Sequence, residues 1–545
     1  MAPALLACLA WAPALVGLGA VVAHRADPAL RPAIAGLLGL GVAGVAATVV
    51  HFVAPITPWV ALAIWLAGLA LAVVRRRWLL EAADRRQLLP LAALLAVAAF
   101  LARSPDFQYD TGYYHLQQVA WLQRASTYLG TANVHYRLGF NTLWSPVAAA
   151  VELPWLEGKS AFFLNLLPIL FAGQAVLVGI AGLLRGRWSF ATWLLAGGAL
   201  PLASATFGVG GLFVDYSLAL VSFLAWALWA AALERGEGGL GPEALPAALL
   251  SLLALLLKAS AAPLLAFSVV LLLVRRGSVE RSTWRTLAIA VPAALLPWLA
   301  RGVAQSGCLV FPAAPTCLPL LPWAVPRERV AEIARVIGDW ARVPGLTAPP
   351  LATWVPLWLP GVLADYPEAK LLPALLLLGL ALLVVVRPRI TAAFAWVAGG
   401  AALSSAFWFL TAPDMRFGLG ALHALALAPA ALALGGLTWS RVPPMARVAA
   451  ALAPAVVAAG LVLALDGQER SGTTFNLPPW RPPVLEWPAM PTERMVRVRT
   501  RAGVMLFAPD RGERCWAAPL PCTPEPDDAL RFDGYYHVGQ RPSAP

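Results

Sequence analysis

The sequence is poor in charge. Only 12% of its 545 residues are Asp, Glu, Lys or Arg, against about 25% in a soluble domain, and 60% are hydrophobic. That much apolar surface cannot be covered by polar groups in water, which excludes a soluble globular fold; lipid accepts it. Lysine is almost absent, with Lys159, Lys258 and Lys370 the only three. No Walker loop, dinucleotide fingerprint, G-x-S-x-G or H-E-x-x-H occurs, which argues against nucleotide-driven chemistry on this chain. The five cysteines have no C-x-x-C spacing, which argues against zinc. No basic residue precedes the apolar stretch 1–23, so it reads as a retained first helix and not as a secretory signal.

What is present is a succession of apolar runs. A helix needs about 20 residues to cross the hydrocarbon core, and helix is the form lipid demands of a spanning backbone. With that ruler, roughly fourteen spans fall near 3–23, 33–53, 56–74, 88–102, 161–182, 190–207, 213–232, 245–258, 261–274, 286–301, 371–386, 391–410, 418–437 and 447–465. The 245–274 stretch reads equally as one long tilted helix. The net charge of +12 would suggest nucleic acid in a soluble protein. Here the arginines sit in alternate loops: Arg25 and Arg31, Arg75 to Arg77 with Arg85 and Arg86, Arg185 and Arg187, Arg235, Arg275 to Arg285, Arg387 and Arg389, Arg441 and Arg447. By the positive-inside rule these loops are cytoplasmic and both termini lie outside. The fold class is thus an all-α integral membrane protein of the inner (plasma) membrane, with membrane lipid and not nucleic acid as its surroundings.

Two domains follow. Residues 1–465 are the polytopic unit, with long external segments at 103–160 and 302–370. Residues 466–545 form an external, Pro-rich tail. No solenoid repeat or inverted repeat is visible. Apolar positions Tyr113, Leu116, Val119 and Ala120 recur at helical spacing opposite Gln117, Gln118 and Arg124, as in a helix lying in the interface plane. The stretch 327–342 has the same character. Cys308 with Cys317, and Cys515 with Cys522, lie in external segments, where thiols oxidise. Of the three connectivities open to four cysteines, the local pairs close the shortest loops.

Carboxylates Asp106, Asp110, Asp215, Asp365, Glu368 and Asp414 all fall at external ends of spans. Asp110 reads either as an N-cap of the following helix or as a general base partly desolvated among aromatics. His115 lies five residues on, about 140° round the helix. Asp414 and Arg416 form either a local pair in a proline turn or a ligand-binding pair, since arginine grips phosphate oxygens bidentately. Lys258 interrupts an apolar run, as a snorkelling end residue or as a substrate contact. Arg301 ends a span on the side where orientation does not require it.

The motif Asp110-Thr-Gly-Tyr-Tyr-His, followed by Asn133-Val-His-Tyr-Arg-Leu-Gly-Phe-Asn-Thr-Leu-Trp, resembles the first external loop of a group of poorly characterised bacterial membrane proteins. Arg301 with Ser306-Gly-Cys, Ala412-Pro-Asp-Met-Arg-Phe-Gly and Cys515-Trp-Ala-Ala-Pro-Leu-Pro-Cys resemble the same group. In layout the group is similar to the GT-C glycosyltransferases, which use polyprenyl-phosphate-linked sugars. The resemblance implies glycosyl transfer on the external face in envelope glycan assembly. Asp110 and His115 would be catalytic, and Asp215, Lys258, Arg301, Asp414, Arg416, His135 and Arg137 would bind substrate. The paired acidic motif common in that family is missing here, so a divalent metal is left open. A transporter or flippase, and a non-catalytic envelope assembly protein, are the alternatives. The sequence leaves sugar, acceptor and oligomeric state open.

Overall fold

The computed structural model of the chain describes residues 2–81, 87–101, 109–236, 239–347, 350–470, 486–487 and 490–538. Asp106, Arg85, Arg86 and residues 471–485 lie outside the described residues. The helices are α1 (Ala2–Gly19), α2 (Arg31–His51), α3 (Pro58–Val74), α4 (Arg76–Leu80), α5 (Leu88–Leu101), α6 (Leu116–Arg124), α7 (Trp144–Ala150), α8 (Ser160–Phe163), α9 (Leu166–Leu184), α10 (Phe190–Gly197) and α11 (Ala199–Ala205). They continue with α12 (Asp215–Arg235), α13 (Ala244–Leu257), α14 (Ala262–Val274), α15 (Arg281–Ser306), α16 (Arg327–Arg342), α17 (Leu351–Asp365), α18 (Glu368–Val386), α19 (Ala392–Thr411), α20 (Met415–Gly435) and α21 (Pro444–Arg470).

Among the described residues, nine helices are long and apolar enough to cross a membrane, and five shorter apolar helices accompany them. They pack around a core rich in Leu, Ala and Trp, with Trp11, Trp144, Trp226 and Trp229 fully buried. Lipid supplies no hydrophobic drive between helices, so they associate by close packing at small residues. Gly39 of α2 lies so close to the backbone of Leu15 in α1 that a Cβ there has no room.

The 245–274 stretch is not one tilted helix. α13 ends at Leu257, Lys258 takes an extended conformation (φ −157°, ψ 135°), and α14 folds back so that Ser268 Oγ donates to Ser251 Oγ at 2.8 Å. α13 has 14 residues and rises about 21 Å, less than the ~30 Å of the hydrocarbon core.

The arginine-bearing loops meet at one end of the bundle. Arg25 pairs with Glu280, Arg31 with Glu81, and Arg235 with Asp27. The Phe190 amide donates to Glu234, and Trp188 stacks on Trp439 at 3.9 Å. The start of α1 and the end of α21 therefore lie at the opposite end, together with the segments 109–160, 302–347 and 350–367.

Beyond α21, which runs on to Arg470, the described residues of the tail form strands and turns and no helix. β1 (Met495–Arg499) pairs antiparallel with β2 (Met505–Pro509), and β3 (Leu530–Phe532) with β4 (Tyr536–Val538). Both local disulfides are formed, Cys308–Cys317 and Cys515–Cys522. The tail docks on the first long segment: Tyr536 N donates to Leu129 O at 2.9 Å, and Asn133 Nδ2 donates to both Trp323 O and Tyr536 O at 3.0 Å.

That docking corrects the reading of α6. Gln117 and Gln118 do not face water: both are buried, at 1% and 3% exposure. Gln117 Nε2 donates to Trp516 O and Ala518 O in the tail, and Gln118 Nε2 to Arg137 O and Phe140 O. An amide side chain can be buried at low cost when backbone carbonyls accept its protons. The stretch α16, by contrast, keeps one face exposed, as its amphipathic pattern requires.

Candidate functional site

At the end opposite the arginine loops, three acid–base pairs from separate parts of the chain converge. Asp110 precedes a π-helical turn, Thr111–His115, that leads into α6. Such turns are rare and concentrate at functional sites. The Asp110 side chain makes no capping hydrogen bond. Instead its Oδ1 lies 3.7 Å from Arg137 Nη1. The Arg137 guanidinium also faces the rings of Tyr113, Tyr114 and Tyr136 at 4.6, 5.5 and 5.4 Å.

The second pair is Lys258 with Asp215, 2.5 Å apart. The helix break at 258 delivers the ammonium to the first residue of α12, and Nζ also sits 3.6 Å above the Phe417 ring. The third pair is bidentate: Arg416 Nε and Nη2 donate to the two carboxylate oxygens of Asp414 at 2.9 and 3.0 Å. Asp414 Oδ1 also accepts from Arg416 N at 3.1 Å and caps α20, so the local reading of the proline turn holds.

Rings join the three pairs. Phe417 stands between Lys258 and Arg416; Phe213 stands between Arg416, at 4.8 Å, and His115, at 6.4 Å. His115 stacks against Tyr114 at 4.1 Å. Thr111 Oγ1 accepts from Leu212 N at 3.1 Å, tying the π-helical turn to the start of α12. The buried phenol of Tyr114 is pushed up by burial and by Asp110 and Asp215, against the pull of Arg137 and Arg416.

His115 is buried, and burial pushes its imidazole down to about 4 despite Asp110 and Asp215. It is neutral at neutral pH and can accept or donate one hydrogen bond, but it carries no charge. His135 lies between Tyr113 and Tyr136, and burial, then Arg137, push it down to about 3; its Nε2 has no partner.

Arg301 is not brought into this cluster. Its guanidinium donates to Asn141 Oδ1 at 3.1 Å and Thr142 O at 2.9 Å and is buried. Thr142 in turn donates to Leu257 O at 2.7 Å, so Arg301 braces the segment against which Lys258 emerges. Glu368 is buried and accepts from Ser204 Oγ at 2.7 Å, while Asp365 is exposed. Among the described residues no group of three or more His, Cys, Asp or Glu could hold a metal ion.

The tail closes over this site. Trp516 lies flat against Gly112, where a Cβ would meet its indole at 2.7 Å, and Trp516 N donates to Gly112 O at 2.8 Å. Tyr109 Oη donates to Glu513. Sequence reasoning missed Tyr114, Phe213, Phe417 and Trp516. The available signal was an aromatic residue within four positions of a charged or catalytic candidate for the first three, and for Trp516 only its place beside Cys515.

Helices of crossing length and apolarity, with polar chemistry gathered at one end, define a polytopic α-helical membrane protein. Within that class the chain belongs to the family described as domain of unknown function DUF8201, which matches residues 1–423. The match contains every residue of the three pairs; the tail lies beyond it. No curated protein matches the chain.

Proposed function

We propose that this protein is a glycosyltransferase of the external membrane face, using a polyprenyl-phosphate-linked sugar as donor. The observation that carries the reading is the unbroken line of ring contacts Tyr114–His115–Phe213–Arg416–Phe417–Lys258, which links Asp110, a carboxylate with no capping role, and its partner Arg137 to two further cations at one end of the bundle. Asp110 takes the proton of the acceptor hydroxyl. The acceptor oxygen bonds to the anomeric carbon as the bond from that carbon to the phosphate oxygen breaks, and the electron pair leaves with the lipid phosphate. Asp414 occupies two of the five N–H donors of Arg416, and Asp215 one of the three of Lys258, so donors remain for the phosphate. Charge develops there in the transition state, and preset donors are worth most at that point. His115, neutral, orients the acceptor instead of carrying a proton.

The same reading places the arginine end in the cytoplasm and the tail and both termini outside, with the long apolar helices as crossings of the inner membrane and α13 and α14 dipping into it as a hairpin. A reporter fused after Asp466 is expected to be active only if it works outside the cytoplasm; signal from a cytoplasm-only reporter there would reverse the orientation.

The activity itself is tested in proteoliposomes. Purified protein with a polyprenyl-phosphate hexose and envelope glycan fragments is expected to release free polyprenyl phosphate in an acceptor-dependent manner. Movement of intact donor across the bilayer without cleavage would favour a flippase. Neither cleavage nor movement with any acceptor fraction would point to an assembly role.

A further inference from the structure

Two features at the arginine end take no part in the site above. The first is an apolar groove of about 320 Å³ between α1, α2, α3, α4, α5 and α9. That volume is at the low end of the ~300–1,000 Å³ of ligand pockets. Pro13, Val16, Ala72, Leu79, Leu170 and Phe171 line it. Gln174 also borders it but spends its amide elsewhere: Nε2 donates to Ala29 O at 2.7 Å and Gln87 Oε1 at 3.1 Å, and Oε1 accepts from Ala33 N at 3.2 Å. The groove therefore offers water and sugar no hydrogen bond, and it suits a hydrocarbon chain.

The second feature is the run Arg75, Arg76 and Arg77, all exposed, which begins three residues beyond Ala72 and so about 5 Å along the helix. No carboxylate among the described residues pairs with any of the three. Their field already reaches His24, whose imidazole is held below its ordinary value by burial and then by Arg25 and Arg75. Arg31, next in sequence to the lining residue Pro32, is held on Trp78 O at 2.9 Å and on Glu81, so it is already spent.

We propose that the groove and the three arginines bind one anionic glycerophospholipid of the adjoining leaflet, with an acyl chain in the groove and the phosphate on Arg75–Arg77. A chain in an apolar groove is held by area alone and does not select a headgroup. The exposed arginines add the selection, because they attract anionic lipid within a Debye length. The site is independent of the transfer chemistry at the other end, and failure of donor turnover leaves it untouched.

The test is native mass spectrometry of the full chain in a neutral detergent, titrated with phosphatidylglycerol or phosphatidylcholine of identical chains. One saturable site is expected, preferring phosphatidylglycerol by about tenfold or more at low salt, with the preference shrinking as salt approaches about 1 M. The triple variant Arg75→Gln, Arg76→Gln, Arg77→Gln is expected to bind both lipids equally. Ala12 also lines the groove, and Ala12→Phe, which narrows it, is expected to weaken both. Equal binding of the two lipids by the unaltered protein, or a salt-independent preference, would overturn the proposal without recourse to any variant. So would a triple variant that keeps the full preference, or an Ala12→Phe protein that binds both lipids as before.

Discussion

Asp110→Asn is expected to lower acceptor-dependent release of polyprenyl phosphate by about 10²-fold or more, with the protein still folded. Asn keeps the size of the side chain and its hydrogen-bonding oxygen and removes only the charge, so it cannot accept the hydroxyl proton. The structural cost is small. Asp110 makes no cap, and its ion pair with Arg137 is long, at 3.7 Å, and partly exposed. Partly exposed pairs contribute about 1 kcal/mol or less. Arg137 also keeps its three aromatic faces, each worth about 0.5–2 kcal/mol. The measurement is turnover in proteoliposomes beside thermal unfolding in detergent. Folded Asp110→Asn protein with full activity removes Asp110 from catalysis and leaves the transfer reading without a base.

Lys258→Met is expected to destabilise the protein by about 3–5 kcal/mol, and adding Asp215→Asn is expected to recover most of that loss. The Asp215 side chain is only 6% exposed. Without the ammonium it is a buried charge with no direct ion-pair partner, only the more distant field of Arg416, whereas the double variant leaves no charge to desolvate. Methionine keeps the length and apolar stem of lysine, so packing over Phe417 is largely preserved. Thermal unfolding of the single and double variants decides. Equal destabilisation of the two, or none in the single variant, would show that Lys258 reaches water and does not depend on Asp215. The pair differs in this respect from Asp414 and Arg416, two residues apart, which form their bidentate contact from one turn of chain.

Much of the site was legible because it rests on local facts. Asp110, Lys258, Asp414 and Arg416 stand out as charges at the edges of apolar runs, and the solvation cost of a charge in hydrocarbon makes such positions conspicuous. What could not be read was who pairs with whom. Lys258 meets Asp215 across 43 residues, and Arg416 sits over Phe213 across some 200, through the packing of α12, α13 and α20. Arg301 looked equivalent to Arg416 in sequence, and only the neighbours Asn141 and Thr142 turn it into a brace. The two glutamines of α6 misled because polarity alone cannot tell water from a tail carbonyl.

The sequence by itself determined the apolar helices, the alternation of arginine loops and the two disulfides, since each depends on the composition of a short window or on loops closed by 9 and 7 residues. The tertiary structure alone decided that the 245–274 stretch is a hairpin with Lys258 at its break, that the tail covers Gly112 and α6, and that rings from Tyr114 to Phe417 join three ion pairs. Those depend on contacts between residues remote in the chain, whose energies exist only once the helices are packed.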